Sequence, residues 1–342
     1  QPLFAYNPHK WDRQTEPLRF KEAQKRYIQD LENISLRATN FFFDLLLAQI
    51  NIQINELNLA NNDTLYQIAL GRYSLGRIAE NELLQMELNV LNSEALLDQS
   101  RIDYESALFR FRSFLALEGV GPVELLPPTD VHDLQMGLSL ALAEARNNRA
   151  DIIAQQRQLI EAESQVSQAK TDSRLNANLF AIYGLTQTSD DFSSVYRDPL
   201  DQQQLTLGVQ IPILDWGVSR GRVRMAESNR ELVNATVGQA QNDFEQEIFL
   251  RVMEFNMLKS QLEVARKADE IADKRYEVTR QRFMIGRIDI IELNLALQEK
   301  DRAKQQYLGA IRNYWRGFYE MRRLTLYDWL HDRPLQVDYD KI

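Results

Sequence analysis

The chain has no cysteine among its 342 residues, which excludes disulfides, thiol catalysis and zinc-thiolate sites. Proline is scarce: nine residues, at positions 2, 8, 17, 122, 127, 128, 199, 212 and 334. Residues 18–121 and 213–333 are therefore proline-free, and such gaps are where uninterrupted helix can exist, because proline removes a backbone donor and clashes with the preceding turn. An excess of basic charge is lacking too. The net charge of −9 is spread along the chain, with no basic stripe carrying interleaved aromatics, so nucleic acid is not an expected partner. Long apolar runs are missing: Phe41, Phe42 and Phe43 are cut off from Leu45, Leu46 and Leu47 by Asp44, well short of the ~18 residues of a membrane-spanning helix. That excludes a helical anchor and leaves a β-barrel open. The three histidines, His9, His132 and His331, have no second ligand at metal spacing, and neither a phosphate loop nor a nucleophile elbow occurs. No catalytic residue, metal or cofactor is expected.

What is present is a repeat. Arg72-Tyr73-Ser74-Leu75-Gly76-Arg77-Ile78 with Glu82-Leu83 returns 210 residues later as Arg282-Phe283-Met284-Ile285-Gly286-Arg287-Ile288 with Glu292-Leu293. At the same offset Tyr66 returns as Tyr276, Tyr104 as Tyr314, Arg112 as Arg322 and Pro2 as Pro212. A register held this far marks a duplicated structural unit. Because Pro2 matches Pro212, the first copy is expected to enter its unit late, as an N-terminal truncation.

Both proline-poor stretches are rich in good helix formers. In the second, Phe244, Ile248, Val252, Phe255, Leu258, Leu262 and Ala265 recur at steps of three and four, one apolar seam on a helix. Helices are predicted over residues 18–73 and 218–283, roughly 80 and 100 Å long at about 1.5 Å per residue, and again over 80–117 and 290–330. Rods of that length with a narrow seam are coiled-coil material. Gly76 and Gly286 fall between each long helix and the next, and glycine can end a helix in a left-handed conformation, so they read as the turns of two helical hairpins. The competing reading is a mid-helix glycine in a continuous rod. Residues 119–130, with Pro122, Pro127 and Pro128, form a connector. Shorter helices follow over 136–146 and 150–171.

The period then changes. Leu175, Ala177, Leu179, Ala181, Tyr183 and Leu185 alternate with a second set across 174–186, and Leu205, Leu207, Val209, Ile211 and Ile213 alternate with Gln204, Thr206, Gly208, Gln210 and Pro212. These predict two strands of about ten residues joined by a polar loop from Thr188, the length and alternation that a membrane barrel strand requires. An antiparallel soluble hairpin alternates in the same way. A two-stranded sheet is marginal and leaves its edges unpaired, so this hairpin needs partners from other chains; in lipid the sheet would have to close.

The segment Leu205 to Gly217, ending Ile211-Pro212-Ile213-Leu214-Asp215-Trp216-Gly217, together with the duplicated hairpins and the Arg-aromatic-x-aliphatic-Gly-Arg-Ile turns, resembles the TolC-like outer membrane efflux proteins across essentially the whole chain. The resemblance implies a mainly α fold: long antiparallel coiled-coil hairpins in two structural repeats forming an α-helical tunnel, with a β-hairpin belonging to a trimeric outer-membrane β-barrel. It divides the chain into a partial first repeat (1–120), a connector with shorter helices (121–172), the β-hairpin (173–214), the second long hairpin (215–333) and a tail (334–342). Residues 1–4 would be the end of a strand, so this stretch by itself would not close the usual barrel. The implied function is the passive outer-membrane exit duct of a tripartite efflux pump or type I secretion system, in the outer membrane and periplasm of a Gram-negative bacterium. It would conduct small toxic compounds or proteins. Implied partners are two further copies of the chain, a periplasmic adaptor, an inner-membrane transporter and outer-membrane lipid.

By the same resemblance, Arg72, Leu75, Gly76, Arg77 and Ile78, with Arg282, Ile285, Gly286, Arg287 and Ile288, are the tips that dock an adaptor. Exposed turns at the ends of rigid rods suit that role, although these aliphatics could simply staple each turn. Glu82, Asp289 and Glu292 would face the tunnel as a constriction favouring cations. The alternative is that they complement the dipole at the start of the returning helix, most clearly at Asp289. The competing function is a soluble coiled-coil scaffold with a β-hairpin oligomerisation element.

Overall fold

The computed structural model describes residues 5–117, 123–128, 134–174, 176–188, 200–210 and 215–337. Pro2, Gly119, Pro122, Pro212, the outer part of the polar loop and Ile211 to Leu214 lie outside them. The described chain is mainly helical: α1 (Pro8–Ser74), α2 (Glu80–Leu115), α3 (Leu138–Asn148), α4 (Ala150–Asp172), strands β1 (Asn176–Thr186) and β2 (Leu200–Gln210), α5 (Val218–Met284), α6 (Ile290–Thr325), and two-residue strands β3 (Tyr327–Asp328) and β4 (Arg333–Pro334).

The duplication is kept to the residue. α1 and α5 each have 67 residues, α2 and α6 each have 36, and every boundary is displaced by the same 210 positions. Even the terminators match, since Ala116 and Leu326 both adopt left-handed backbone (φ 52° and 48°) to end α2 and α6. Two helix boundaries differ from the sequence reading by more than two residues. α1 starts at Pro8, ten residues early, and runs through Pro17. Pro17 lies on the exposed side, where water can take the carbonyl that its missing N–H leaves free. α6 stops at Thr325 rather than 330, because Leu326 turns the chain back, its carbonyl accepting from the Leu335 N–H (2.8 Å) as β3 pairs with β4.

The chain forms two compact units, with α1 and α5 contributing to both: residues 1–26 with 149–246, and residues 27–148 with 247–342. In the first unit α4 is tied to α1 by Arg157 to Glu22 and Arg19 to Glu161, both 2.9 Å, and to α5 by Arg230 to Glu163 (3.2 Å) and Lys170 to Glu227 (2.8 Å). Ala150, Ile153, Ala162, Val166, Val237 and Phe244 are its buried apolar side chains on these helices. β1 and β2 pair antiparallel in an unbroken register from Asn176↔Gln210 to Thr186↔Leu200. That register sets Ala177, Leu179 and Ala181 opposite Val209, Leu207 and Leu205, so these six share one face, as the alternation predicts, while Phe180, Ile182 and Leu200 lie on the other. After the strands Asp215 starts α5: its carboxylate accepts from the backbone N–H of Gly217 (3.0 Å) and Ser219 (2.8 Å). These bonds, with the Ser219 hydroxyl, hold its pKa down to about 2.

In the second unit the two repeats solve the same packing problem with different volumes. Phe255, Tyr314, Phe318 and Met321 are buried side by side, with Phe255 and Tyr314 rings 5.4 Å apart. Gly317 lies under this layer, and a Cβ there would stand 2.7 Å from Leu258 Cδ1 and 3.4 Å from Phe255 Cδ2. The counterparts of Phe255, Leu258 and Gly317 in the first repeat are Leu45, Ala48 and Ala107, a buried cluster with smaller residues opposite a larger knob. Gly317→Val should therefore overpack the site and cost about 1–3 kcal/mol. Adding Leu258→Ala, which puts the first repeat's alanine opposite the larger side chain, should recover most of that in thermal unfolding. An additive double variant would show that the two positions do not share this space.

Candidate functional site

Each long helix ends in the same cap. Gly76 (φ 67°) donates its N–H to the Tyr73 carbonyl (2.8 Å) and Arg77 to that of Arg72 (2.9 Å); Gly286 (φ 73°) donates to Phe283 (2.9 Å) and Arg287 to Arg282 (3.0 Å). These are paired Schellman-type closures, in which a left-handed residue reverses the chain and satisfies the last carbonyls. Both glycines are turns, as the sequence reading favours. A Cβ built on either meets nothing within 4 Å, so backbone conformation and not crowding selects glycine.

The turn splits the candidate aliphatics into two kinds. Leu75 and Ile285, just before the glycines, project outward at 70% and 67% exposed. Ile78 and Ile288, just after, fold under onto a core of Leu65, Ala69, Met86, Tyr276, Phe283 and Leu293. The stapling reading describes Ile78 and Ile288; it does not describe Leu75 and Ile285. Arg77 and Arg287 are exposed. Arg72 is committed elsewhere, donating Nη2 to the Phe283 and Met284 carbonyls (both 3.0 Å) with its guanidinium 4.8 Å from the centre of the Phe283 ring. It caps the C-terminus of α5, where a cation complements the helix dipole. Arg72, Arg77, Ile78 and Glu82 share a cleft of about 730 Å³ with Ile285, Gly286, Arg287, Ile288 and Asp289. The structure thus brings the two tips together. Leu75, Gly76, Arg282 and Glu292 do not line that cleft.

The carboxylates separate as well. Asp289 is the N-cap of α6, its Oδ1 accepting from the Glu292 N–H (3.0 Å), whereas the equivalent Ala79 gives α2 no side-chain cap. Asp289→Ala should cost about 1 kcal/mol and loosen the second tip alone. Hydrogen exchange of the Ile290 to Leu293 amides measures this, and unchanged protection there would refute it. Glu82 is half-buried beside the cleft and Glu292 is exposed.

One polar feature escapes the sequence reading. Asn51, Asn55, Asn58 and Asn62 form one row of α1 and line a cleft of about 700 Å³ with Asn89, Asn294 and Asp301. Asn58 donates to Asp301 (2.8 Å), Asn89 to Asn294 (3.0 Å) and Asn62 to Ser93 (2.6 Å). Burial pushes the Asp301 carboxyl up, against the opposing pull of Asn58 and Lys300. The available signal was four asparagines, poor helix formers, at steps of three and four inside an unbroken helix. Among the described residues, no group of three or more His, Asp or Glu side chains could hold a metal ion, and no helix is long and apolar enough to cross a membrane.

A sequence model of the outer membrane efflux protein family matches residues 141–324, more than half of the chain. The chain belongs to that family. Its fold is that of solved outer-membrane channels. Against CmeC of Campylobacter jejuni the TM-score is 0.78 at 15% identity, over 99% of this chain and 71% of that one. Against the channel OprN it is 0.78 at 19%, over 94% and 72%. Against VceC of Vibrio cholerae it is 0.70 at 15%, over 91% and 72%. No curated protein matches the sequence. This outer membrane efflux protein is accordingly a transport channel and not an enzyme, and it belongs to the outer membrane and periplasm of Gram-negative cells.

Proposed function

We propose that this efflux protein is the passive exit duct of a tripartite pump, working as a trimer with a periplasmic adaptor and an inner-membrane transporter that supplies the energy. The carrying observation is the bare β-hairpin. Its strands have eleven residues each, the length that crosses a bilayer when tilted, and Tyr183, Leu185, Leu205, Leu207 and Val209 on its apolar face are all more than half exposed. An uncovered apolar face with two open edges calls for lipid and for strands of other copies. The hairpin within 173–214 is then the membrane part, and the helical hairpins within 1–120 and 215–333 line the periplasmic tunnel.

Leu75 and Ile285, beside Arg77 and Arg287, form the adaptor-docking surface, with Gly76, Gly286, Ile78, Ile288 and Arg72 shaping it. Glu82 and Glu292 recur as rings in a threefold assembly and favour cations, while Asp289 serves that level through its cap. Small toxic compounds are the leading cargo; secreted proteins are the other class such a duct would pass. Block of single-channel current by a trivalent cation should weaken at least tenfold in Glu292→Ala, and equal block in both proteins would remove Glu292 from the constriction. Fractionation of cells making the full-length protein, with resistance measured after deletion of its gene, tests the whole proposal. Outer-membrane recovery and hypersensitivity to several unrelated toxic compounds are expected. Recovery only in the soluble fraction would favour the coiled-coil scaffold instead.

A further inference from the structure

The duplication makes one half of an interface visible and leaves the other half bare. Within the chain Arg72 clasps the carbonyls of Phe283 and Met284 and stacks on the Phe283 ring. Displaced by the repeat, the same arginine is Arg282, the carbonyls are those of Tyr73 and Ser74, and the ring is Tyr73. Arg282 is exposed and its guanidinium has no hydrogen-bond or ion-pair partner among the described residues, and Tyr73 is exposed where Phe283 is buried.

The helices behind them follow suit. α6 meets the first repeat through Asn294 with Asn89, Asp301 with Asn58, and Arg312 with Asp44 (2.8 Å). The counterparts of Asn294, Asp301 and Arg312 on α2 are Leu84, Leu91 and Ile102. With Leu88 and Phe109 they make an apolar stripe at successive steps of four, three, eleven and seven, every member half or more exposed. On α5, Leu250, Met253, Met257, Val264, Ile271 and Val278 make a second stripe, all more than half exposed. Their counterparts in α1, including Phe43, Leu47 and Ile54, are buried or half-buried. In the register that the repeat dictates, Ala268 lies opposite Leu91. Exposed Lys267 and Lys274 then fall within a turn of exposed Glu94 and Glu87, and none of the four has a partner among the described residues.

With a second copy of this chain in the trimer covering both stripes, we propose that Arg282 is the inter-subunit clasp, donating to the Tyr73 and Ser74 carbonyls of that copy. The contact is heterologous and continues the interface already formed between the two repeats. A guanidinium at the C-terminus of α1 complements the helix dipole there, as Arg72 does for α5. This rests on the trimeric duct reading: three copies then give six junctions of one kind, alternately within a chain through Arg72 and between chains through Arg282.

These 342 residues hold no cysteine, so once any cysteine elsewhere in the full-length chain is replaced the test is direct, using a short bis-maleimide on the full-length trimer. Arg72→Cys with Met284→Cys should link within one chain and leave the mass on a denaturing gel unchanged. Arg282→Cys with Ser74→Cys should instead give a ladder of covalent dimers and trimers. Ile102→Cys with Glu254→Cys, the counterpart of the Arg312 and Asp44 pair, reports the same interface away from the tip and guards against a distorted turn. If the native mass is that of a trimer and the Ile102 pair gives the ladder while the Arg282 pair does not, the clasp is overturned and the helix pairing stands. A native trimer in which neither pair gives a ladder overturns the inference and spares the duct reading. A native mass of one chain sinks both.

Discussion

Replacing Gly76 and Gly286 together with tryptophan is expected to abolish efflux and leave the trimer assembled. Both glycines lie at positive φ, so any side chain costs roughly 1–2 kcal/mol per site in backbone strain. Hairpins of 67 and 36 residues, with the buried cluster around Tyr276 and Phe283 behind the turns, can absorb that. Nothing lies within 4 Å of a Cβ built at either glycine, so a side chain leaves the backbone without a clash and an indole is expected to project from the tip, between Leu75 and Arg77 or between Ile285 and Arg287. A partner that seats on those residues would be held off by the ring. Alanine at the same positions separates strain from bulk, since it adds the strain and little volume. The alanine variant should keep most of the resistance, and the tryptophan variant should fall to the level of a gene deletion. Full resistance in an assembled tryptophan variant would move docking away from the tips. Equal loss in both variants would assign the glycines to folding alone.

The long helices were legible because two independent signals agreed: proline-free stretches, and a repeat that carries each boundary from one copy to the other. α1 reads short from sequence because Pro17 counts as a breaker, whereas on the exposed side water can reach the carbonyl that its missing N–H leaves free. α6 was read long because Leu326, Tyr327, Trp329 and Leu330 look like further helix, and only the Leu335 to Leu326 bond and the short β3–β4 ladder show the reversal. At the tips the motif located both turns. It could not show that the aliphatic before each glycine faces out while the one after faces in, because that depends on the left-handed reversal between them. Nor could it separate Arg72 from Arg282, which hold identical places in the repeat. What distinguishes them is tertiary: the second tip lies beside Arg72 in the same chain, and among the described residues the Arg282 guanidinium has no hydrogen-bond or ion-pair partner. The paired strands followed from alternation because a two-residue period puts both apolar sets on one face once the register is even.

The largest stability effect is expected at Arg322. Its Nε and Nη2 donate to the two carboxylate oxygens of Glu32 at 3.1 and 2.9 Å, and its Nη1 lies 3.8 Å from Asp328. The Glu32 side chain is 8% exposed, so this fork is nearly shielded from water and stands apart from the many surface ion pairs of the helices. Arg322→Met would leave the buried Glu32 carboxylate without its cation and take one of the positive groups from Asp328. Removing one partner of a buried pair typically costs about 3–5 kcal/mol, because the remaining charge has lost its compensation. Burial pushes the Asp328 carboxyl up, yet its bond with His331, the Leu330 N–H and Arg322 together hold it below the usual carboxylate range. A depressed folded pKa contributes stability that is present above the unfolded value, near 4, and lost as pH falls through the folded one. Without Arg322 that folded value rises toward the unfolded one, so acid unfolding of the variant should begin at higher pH. Arg322→Met combined with Glu32→Gln should recover a large part of the loss, since an amide carries no charge to strand. A single Arg322→Met variant as stable as the parent, with the same acid limb, would mean that water reaches this pair in spite of its burial and that the fork adds nothing beyond a surface bridge.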